Sequence, residues 1–535
     1  MKKSLMLSVF TLIAVGVTAC GKTHYSADDQ VLRVFATNAG YDIKWLEDSL
    51  EAFKNTEWVK EKYPKLKIEK IKNDASTIPG DMINSGEKVC SYDLVATCQP
   101  FHEAIYKGKN NFEDLSDIWN GAVPGDSNYD GSEGHQMKDK ATGEGYNQEI
   151  FEAYDGSTSV YTIPWAKSLG GFVVNLTKFH KALGNSKELP RTTNEMIKIC
   201  SDFMATTTKD KFGKNSDYAL CFAGQAHYCE GPTQAFWAQY EGRENYYNYF
   251  KGIVVRENDE KERHEDSLKQ QGKLEGLKVM EQIIGNANGF VDTTSSSQYD
   301  AFTPQYNFIS GKSGIFCIIG DWFYNEAKKT FPDFLDQFEF QYMDYPVISS
   351  ITEKCSSVKT DEILSQVVKC IDEDKSFEEA KTALSGVVDL SANDYEIIYN
   401  ARHTHTRLGG HNFAVPSYAM FKEIAKDFLR FFATDECARI VTSNCVVTPW
   451  KFELNGELPN NYSKEVYRIS QKLVDIKHES SFKTNYIGGL MGFKKGFVYP
   501  TFVGSSGTMT AQEFYDQDTA LLTSSFKAMM KDSGY

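Results

Sequence analysis

VLRVFATNAGYDIKWLEDSLEAFKNTEWVKEKYPKLKIEK, residues 31–70, and YDLVATCQPF, residues 92–101, decide the fold. Residues 31–36 read as a short, largely apolar strand. Leu46, Leu50 and Phe53 then recur at helical spacing through residues 44–62, and Pro64 bars continuation. Leu66 and Ile68 alternate with charged residues as in a strand, Ile83 sits in a brief helical stretch, and residues 92–97 form a third apolar strand. That order is β-α-β-α-β, the opening of a doubly wound sheet. Ligands of such sheets sit beyond the carboxyl ends of the strands, at a topological switch point. Thr37, Asn38, Gly40 and Tyr41 follow the first strand, and Gln99 and Phe101 follow the third. Gly40 permits close backbone approach there. Each of these also reads as an ordinary turn residue.

Downstream, Tyr161-Thr162-Ile163-Pro164-Trp165 leads to Gly170-Gly171-Phe172-Val173-Val174-Asn175, two extended pieces that look like a chain passing from one lobe to another. Residues 192–203 read as helical, and residues 231–249 as one aromatic-dense helix with Trp237 and Tyr240. Residues 315–319 are a continuous apolar run, too short for a helix, ending in Gly320-Asp321-Trp322. Residues 353–393 are charged and mostly helical. Residues 413–416 form a strand that feeds a helix carrying Phe421, Ile424, Ala425, Phe428 and Phe432 on one stripe, and further helices lie near 464–476 and 511–531.

At 535 residues the chain exceeds the roughly 250–300 residues at which single cores stop growing, so two or more lobes are expected. Composition, 41% hydrophobic and 24% charged, is that of a globular protein. The formal net charge of -15 argues against nonspecific nucleic-acid binding, which needs a basic surface. Lys2 and Lys3 precede the apolar run 5–17, and Val17-Thr18-Ala19-Cys20-Gly21 follows: the pattern of a secretory signal. Val-Thr-Ala-Cys resembles the bacterial lipobox, which implies cleavage before Cys20 and a diacylglycerol on its sulfur. Two acyl chains suffice for stable anchoring, at ~0.8 kcal/mol per buried methylene. Residues 20–30 then form a polar tether. Ten further cysteines are compatible with disulfides outside the cell, the pairs 90/98, 221/229 and 437/445 sharing one spacing, or with thiols; connectivity is open. No Cys-x-x-Cys suggests a zinc site.

With these landmarks in order, the chain resembles the extracellular solute-binding proteins of bacterial ABC importers, closest to the carbohydrate-binding family 1 type. The matching residues are the lipobox at Cys20, Gly40-Tyr41, Tyr92-Asp93-Leu94, Ile163-Pro164-Trp165 with Gly171 to Asn175, Gly311-Lys312-Ser313-Gly314, Gly320-Asp321-Trp322, and Val415-Pro416 with the helix after it. The resemblance implies an α/β, two-lobed periplasmic-binding-protein-like clamp of type II, each lobe a doubly wound mixed sheet flanked by helices. It implies a first lobe from 31–163 and 345–448, with an insertion at 350–406, and a second from 164–344 and 449–535. It further implies a monomer that hands a carbohydrate, an oligosaccharide by the reading here, to separate permease subunits without chemical change. Two departures from the family pattern are the extra length around 110–153 and 350–406 and the many cysteines.

A sugar presents C–H faces to aromatic planes and a hydroxyl rim to polar side chains, in a cleft that excludes water. Aromatic residues are 13% of the chain. The expected ligand-binding set is Asn38, Tyr41, Gln99, Trp165, Trp237, Tyr240, Asp321, Trp322 and His411, with Trp322 as the main anchor and Trp165 on the cleft floor; Asp321, Trp322 and Trp165 carry over from the family resemblance. Other readings compete. Trp237 and Trp450 read equally well as core. Asp321 and Asp93 are the carboxylates a glycosidase would use. His403, His405 and His411 lie in a polar stretch that fits either solvated histidines or a metal cluster. Asp126, Asn128, Asp130 and Ser132 sit in a segment with the turn glycine of a calcium loop, but Met137 stands where the bidentate Glu belongs. No cofactor is required for ligand capture; calcium at that loop is the structural-metal expectation, and a metal-binding lipoprotein is the lesser alternative.

Overall fold

The computed structural model describes residues 25–26, 28–37, 40–73, 78–99, 101–124, 136–142, 159–222, 228–293, 302–408, 410–477, 487, 498–503 and 507–535. The strands are β1 (Val31–Thr37), β2 (Lys67–Asn73), β3 (Leu94–Thr97), β4 (Ile163–Pro164), β5 (Gly170–Asn175), β6 (Leu220–Phe222), β7 (Ile253–Val255), β8 (Lys261–Arg263), β9 (Phe316–Gly320), β10 (Phe340–Met343), β11 (Thr404–Arg407), β12 (Asn412–Ala414) and β13 (Val474–Lys477). Short pairs, β11 with β13 and β7 with β8, flank two larger sheets.

The first sheet runs β2-β1-β3-β12-β4. β1 is parallel to β2 and β3, with Phe35 opposite Val95, and β12 is antiparallel to β3 and β4. Being central, β1 buries both faces, which is why its sequence is nearly all apolar. The helix Lys44–Asn55 turns Trp45, Leu46, Leu50 and Phe53 into the core beside it. Each such buried side chain contributes about 1.5–3 kcal/mol. The helix expected over 44–62 is two: Thr56 adopts extended backbone, ending one helix and starting Glu57–Lys62.

The second sheet runs β10-β5-β9-β6, with β5 antiparallel to β9 and β10 and β6 parallel to β9. Helices cover both faces. Phe172, Val174, Phe316 and Ile318 point into one core, while Val173, Cys317 and Ile319 point into another with Tyr342 and Tyr462. Two-residue periodicity with no polar side is the signature of a sheet sandwiched between layers. The helix expected over 231–249 breaks at Gly242, whose φ of 80° only glycine adopts freely, giving Glu230–Glu241 and Arg243–Lys251.

The chain passes between the first core and the second-sheet cores near 166–169, 407–412 and 445–461. The segment from Tyr345 to Ala401, read from the sequence as first lobe, instead packs Val347, Ile351, Val367 and Ile398 into the second lobe. Trp450 and Phe452, read as second lobe, lie in the first core. Long-range packing moves these boundaries: local helix periodicity does not say which sheet a helix covers. No helix of the described residues is long and apolar enough to cross a membrane.

Candidate functional site

The site is built where the carboxyl ends of β1 and β9 face each other. After β1 the chain turns through Gly40 to Tyr41, and after β9 it delivers Asp321 and Trp322. A Cβ on Gly40 would stand 2.5 Å from Cδ1 of Trp322, so only glycine lets the first-lobe loop rest on that indole. Trp322 is half-buried, contributes to both the first core and the second-sheet core, and lies 6.2 Å from the rings of Tyr41 and Tyr228.

Tyr41, Trp165 and His411 form the first-lobe side. Tyr41 stands edge-on to His411 at 5.2 Å and to Trp165 at 5.5 Å, and Trp165 is edge-on to His411 at 4.7 Å. Such edge-to-face pairs fix ring planes as well as burying area. Trp165 donates its indole N–H to Thr97 O and stacks at 4.3 Å on Trp45, which covers one of its faces. It is therefore a wall of the junction rather than an open floor. His411 is buried, and its Nδ1 has no partner among the described residues. Burial pushes its pKa down to about 3, so the ring is neutral at physiological pH.

Asp321 is fully buried. Its carboxylate accepts the Tyr41 hydroxyl at 2.5 Å and the Leu169 and Val447 N–H groups at 2.9 and 3.4 Å. Burial lifts its pKa to about 7, against those hydrogen bonds, which favour the charged form. The Tyr41 hydroxyl is held well above the usual phenol range by burial and by this carboxylate.

The expected residues thus divide. Tyr41, Trp165, Asp321, Trp322 and His411 come together; Gln99, half-buried, lies at the end of β3, its N–H bonded to Thr97 Oγ1. Trp237 and Tyr240 are elsewhere, in the helical layer of the second lobe. Trp237 is fully buried, bonded to Gln270 Oε1 at 2.7 Å and 5.8 Å from the ammonium of Lys273, which makes it core. Tyr240 bonds Glu353 and, with Asn245, Gln270 and Lys354, lines a separate cavity of about 350 Å³. Asn38, Cys20, Asp126, Asn128, Asp130 and Ser132 lie outside the described residues. Tyr228 and Trp45 had no local signal; only tertiary proximity reveals them.

The described residues of the competing readings have other partners. Asp93 is ion-paired with Arg33 at 2.5 Å and accepts the Phe421 N–H, while Asp321 is spent at the lobe junction. His403, expected in a polar stretch, packs at 4.3 Å on Tyr399, and His405 sits on buried β11 with Nε2 on Asp344 at 3.0 Å and its ring beside Tyr342 and Tyr345, whereas His411 packs on Tyr41 and Trp165. Among the described residues no three His, Cys, Asp or Glu side chains gather as metal ligands. The ten described cysteines are free thiols, nine of them buried.

No family model and no curated protein sequence matches the chain. Solved structures do. The chain is similar to the apo form of RafE from Streptococcus pneumoniae, with 12% identity and a TM-score of 0.51 over 93% of this chain and 99% of that one. A chitin oligosaccharide binding protein has 12% identity and a TM-score of 0.53, over 94% and 100%. A probable secreted solute-binding lipoprotein from Streptomyces coelicolor has 11% identity and a TM-score of 0.52, over 94% and 99%. The two mixed sheets, the repeated crossings and this likeness along nearly the whole chain establish the two-lobed periplasmic-binding-protein-like fold.

Proposed function

We propose that the protein is a lipid-anchored extracytoplasmic solute-binding protein that captures a carbohydrate, an oligosaccharide by preference, between its lobes and delivers it unaltered to an ABC permease. The observation that carries this reading is the aromatic junction, with Tyr41, Trp165 and His411 of one lobe facing Trp322 and Tyr228 of the other. Rings from both sides suit the C–H faces of a sugar, and the buried, neutral imidazole of His411 among them suits a ligand that is polar but uncharged. Trp322 is the anchor, because it is half-buried where Trp165 is packed against Trp45. The proteins of similar fold include one named for chitin oligosaccharides and one named a lipoprotein, which agrees with the ligand class and with diacylation at Cys20.

The test is thermal shift and intrinsic fluorescence of the mature protein across raffinose, maltotriose and chitin oligosaccharides, with mass analysis of the recovered sugar. Bound ligand raises the melting temperature by mass action, and the sugar returns intact. Trp322→Ala loses at least tenfold in affinity, about 1.4 kcal/mol, and still folds, at some cost in stability because the indole packs on both cores. Cleaved product, or wild-type binding by Trp322→Ala, contradicts the reading.

A further inference from the structure

Asp321 occupies the point where the lobe crossings meet. Leu169 is gripped twice: its N–H donates to Asp321 Oδ1, and its carbonyl accepts the Asp321 N–H at 2.9 Å. Val447, from the third crossing, donates to Oδ2. The crossings are laced to one another around this point, Trp165 N–H to His411 O at 2.9 Å, Lys167 N–H to Val447 O at 3.0 Å and Leu408 N–H to Ser168 O at 2.8 Å. Ser168 and Cys445, in the same segments, hold left-handed backbone at φ 53° and 57°, costly for residues with a Cβ and kept only where the surroundings over-determine them. The remaining bond to the carboxylate comes from the first lobe, the Tyr41 hydroxyl.

We propose that Asp321 is a positioning residue, a hinge pin that joins two crossings to the ligand-facing Tyr41 and so sets how far the lobes open. This rests on the reading of the molecule as a two-lobed binding clamp. The geometry suits a carboxylate: above its pKa of about 7, Asp321 offers lone pairs on both oxygens and no donor, matching three donors that converge on it from both lobes. An amide places N–H against N–H or O–H at one of these positions. Ligand contact at the Tyr41 ring is then felt at the hinge through one hydrogen bond, and hinge motion is felt at the ring.

Small-angle X-ray scattering of the ligand-free mature protein tests this with Asp321→Asn, Tyr41→Phe, their double variant and Tyr462→Phe. Tyr41→Phe keeps the ring and removes only the hydroxyl, so it reports even where Asp321→Asn fails to fold. Tyr462→Phe removes the hydroxyl that bonds the Asp321 carbonyl at 2.9 Å within the second lobe. The radius of gyration rises in Asp321→Asn and in Tyr41→Phe, and the double variant rises no further than Asp321→Asn. Tyr462→Phe lowers the melting temperature with its scattering unchanged. Superimposable scattering of wild type and Tyr41→Phe overturns the proposal, as does equal widening by Tyr462→Phe. Since no sugar is present, a protein that binds no saccharide yet widens sinks the proposed function and leaves the hinge; one that binds and does not widen does the reverse.

Discussion

His411→Gln isolates a buried neutral imidazole. In the folded protein burial pushes the His411 pKa down to about 3, from 6.5 in an exposed chain. Between those values the unfolded chain binds a proton that the folded one refuses, so stability present above pH 6.5 is lost as pH falls. Each unit below 6.5 costs about 1.4 kcal/mol, which amounts to ~2.7 kcal/mol at pH 4.5. Glutamine does not titrate, and the ring nitrogen that the substitution removes, Nδ1, had no partner among the described residues. The assay is urea unfolding of both proteins at pH 7.5 and 4.5, followed by tryptophan fluorescence, to which Trp45 and Trp165, stacked at 4.3 Å beside the site, contribute. Comparing the two proteins cancels every other titrating group. With m of about 2–3 kcal/mol/M, the midpoint of the wild type moves by about 1 M relative to the variant as pH falls. A midpoint offset that stays constant across that range means the imidazole takes up its proton in place, and the burial argument is wrong.

Other outcomes follow from the same contacts. Lys273, fully buried, donates to Asp518 at 2.6 Å and to Tyr249 at 2.8 Å, tying the helix Ala511–Asp532 to the second lobe; Lys273→Met costs about 3 kcal/mol in urea unfolding and exposes that helix to protease first. Unchanged cleavage and stability contradict this. The free cysteines make the native protein slow toward a thiol reagent except at half-buried Cys98, while the unfolded lipidated chain reacts at ten sulfurs, and one with unmodified Cys20 at eleven. Fewer than ten means disulfides.

Much of the first lobe was legible because its signals are local. β1 and β3 are apolar runs bounded by turns, and Gly40 marked the close approach that brings the loop against Trp322. Gly242 was visible too, yet the aromatic pattern on both sides of it hid the break. What stayed illegible depends on distant partners. Nothing near Trp237 says that Lys273 will fill the space beside it, and Thr404–Arg407 looks like a polar loop until β13 and Asp344 bury it. Asp321 shows the same limit: its place after an apolar strand marks the junction, but only Leu169, Val447 and Tyr41 turn a rim carboxylate into an interior one.

The central claim is that a saccharide lodges against Trp322 between two lobes and leaves unchanged. A crystal structure of the mature protein with a bound oligosaccharide, with mass spectrometry of the dissolved crystals, tests it most directly. The account predicts a sugar ring packed on the Trp322 indole, lobes on either side, and an intact mass. A sugar seated elsewhere, at the Tyr240 cavity for instance, or one recovered in pieces, contradicts it.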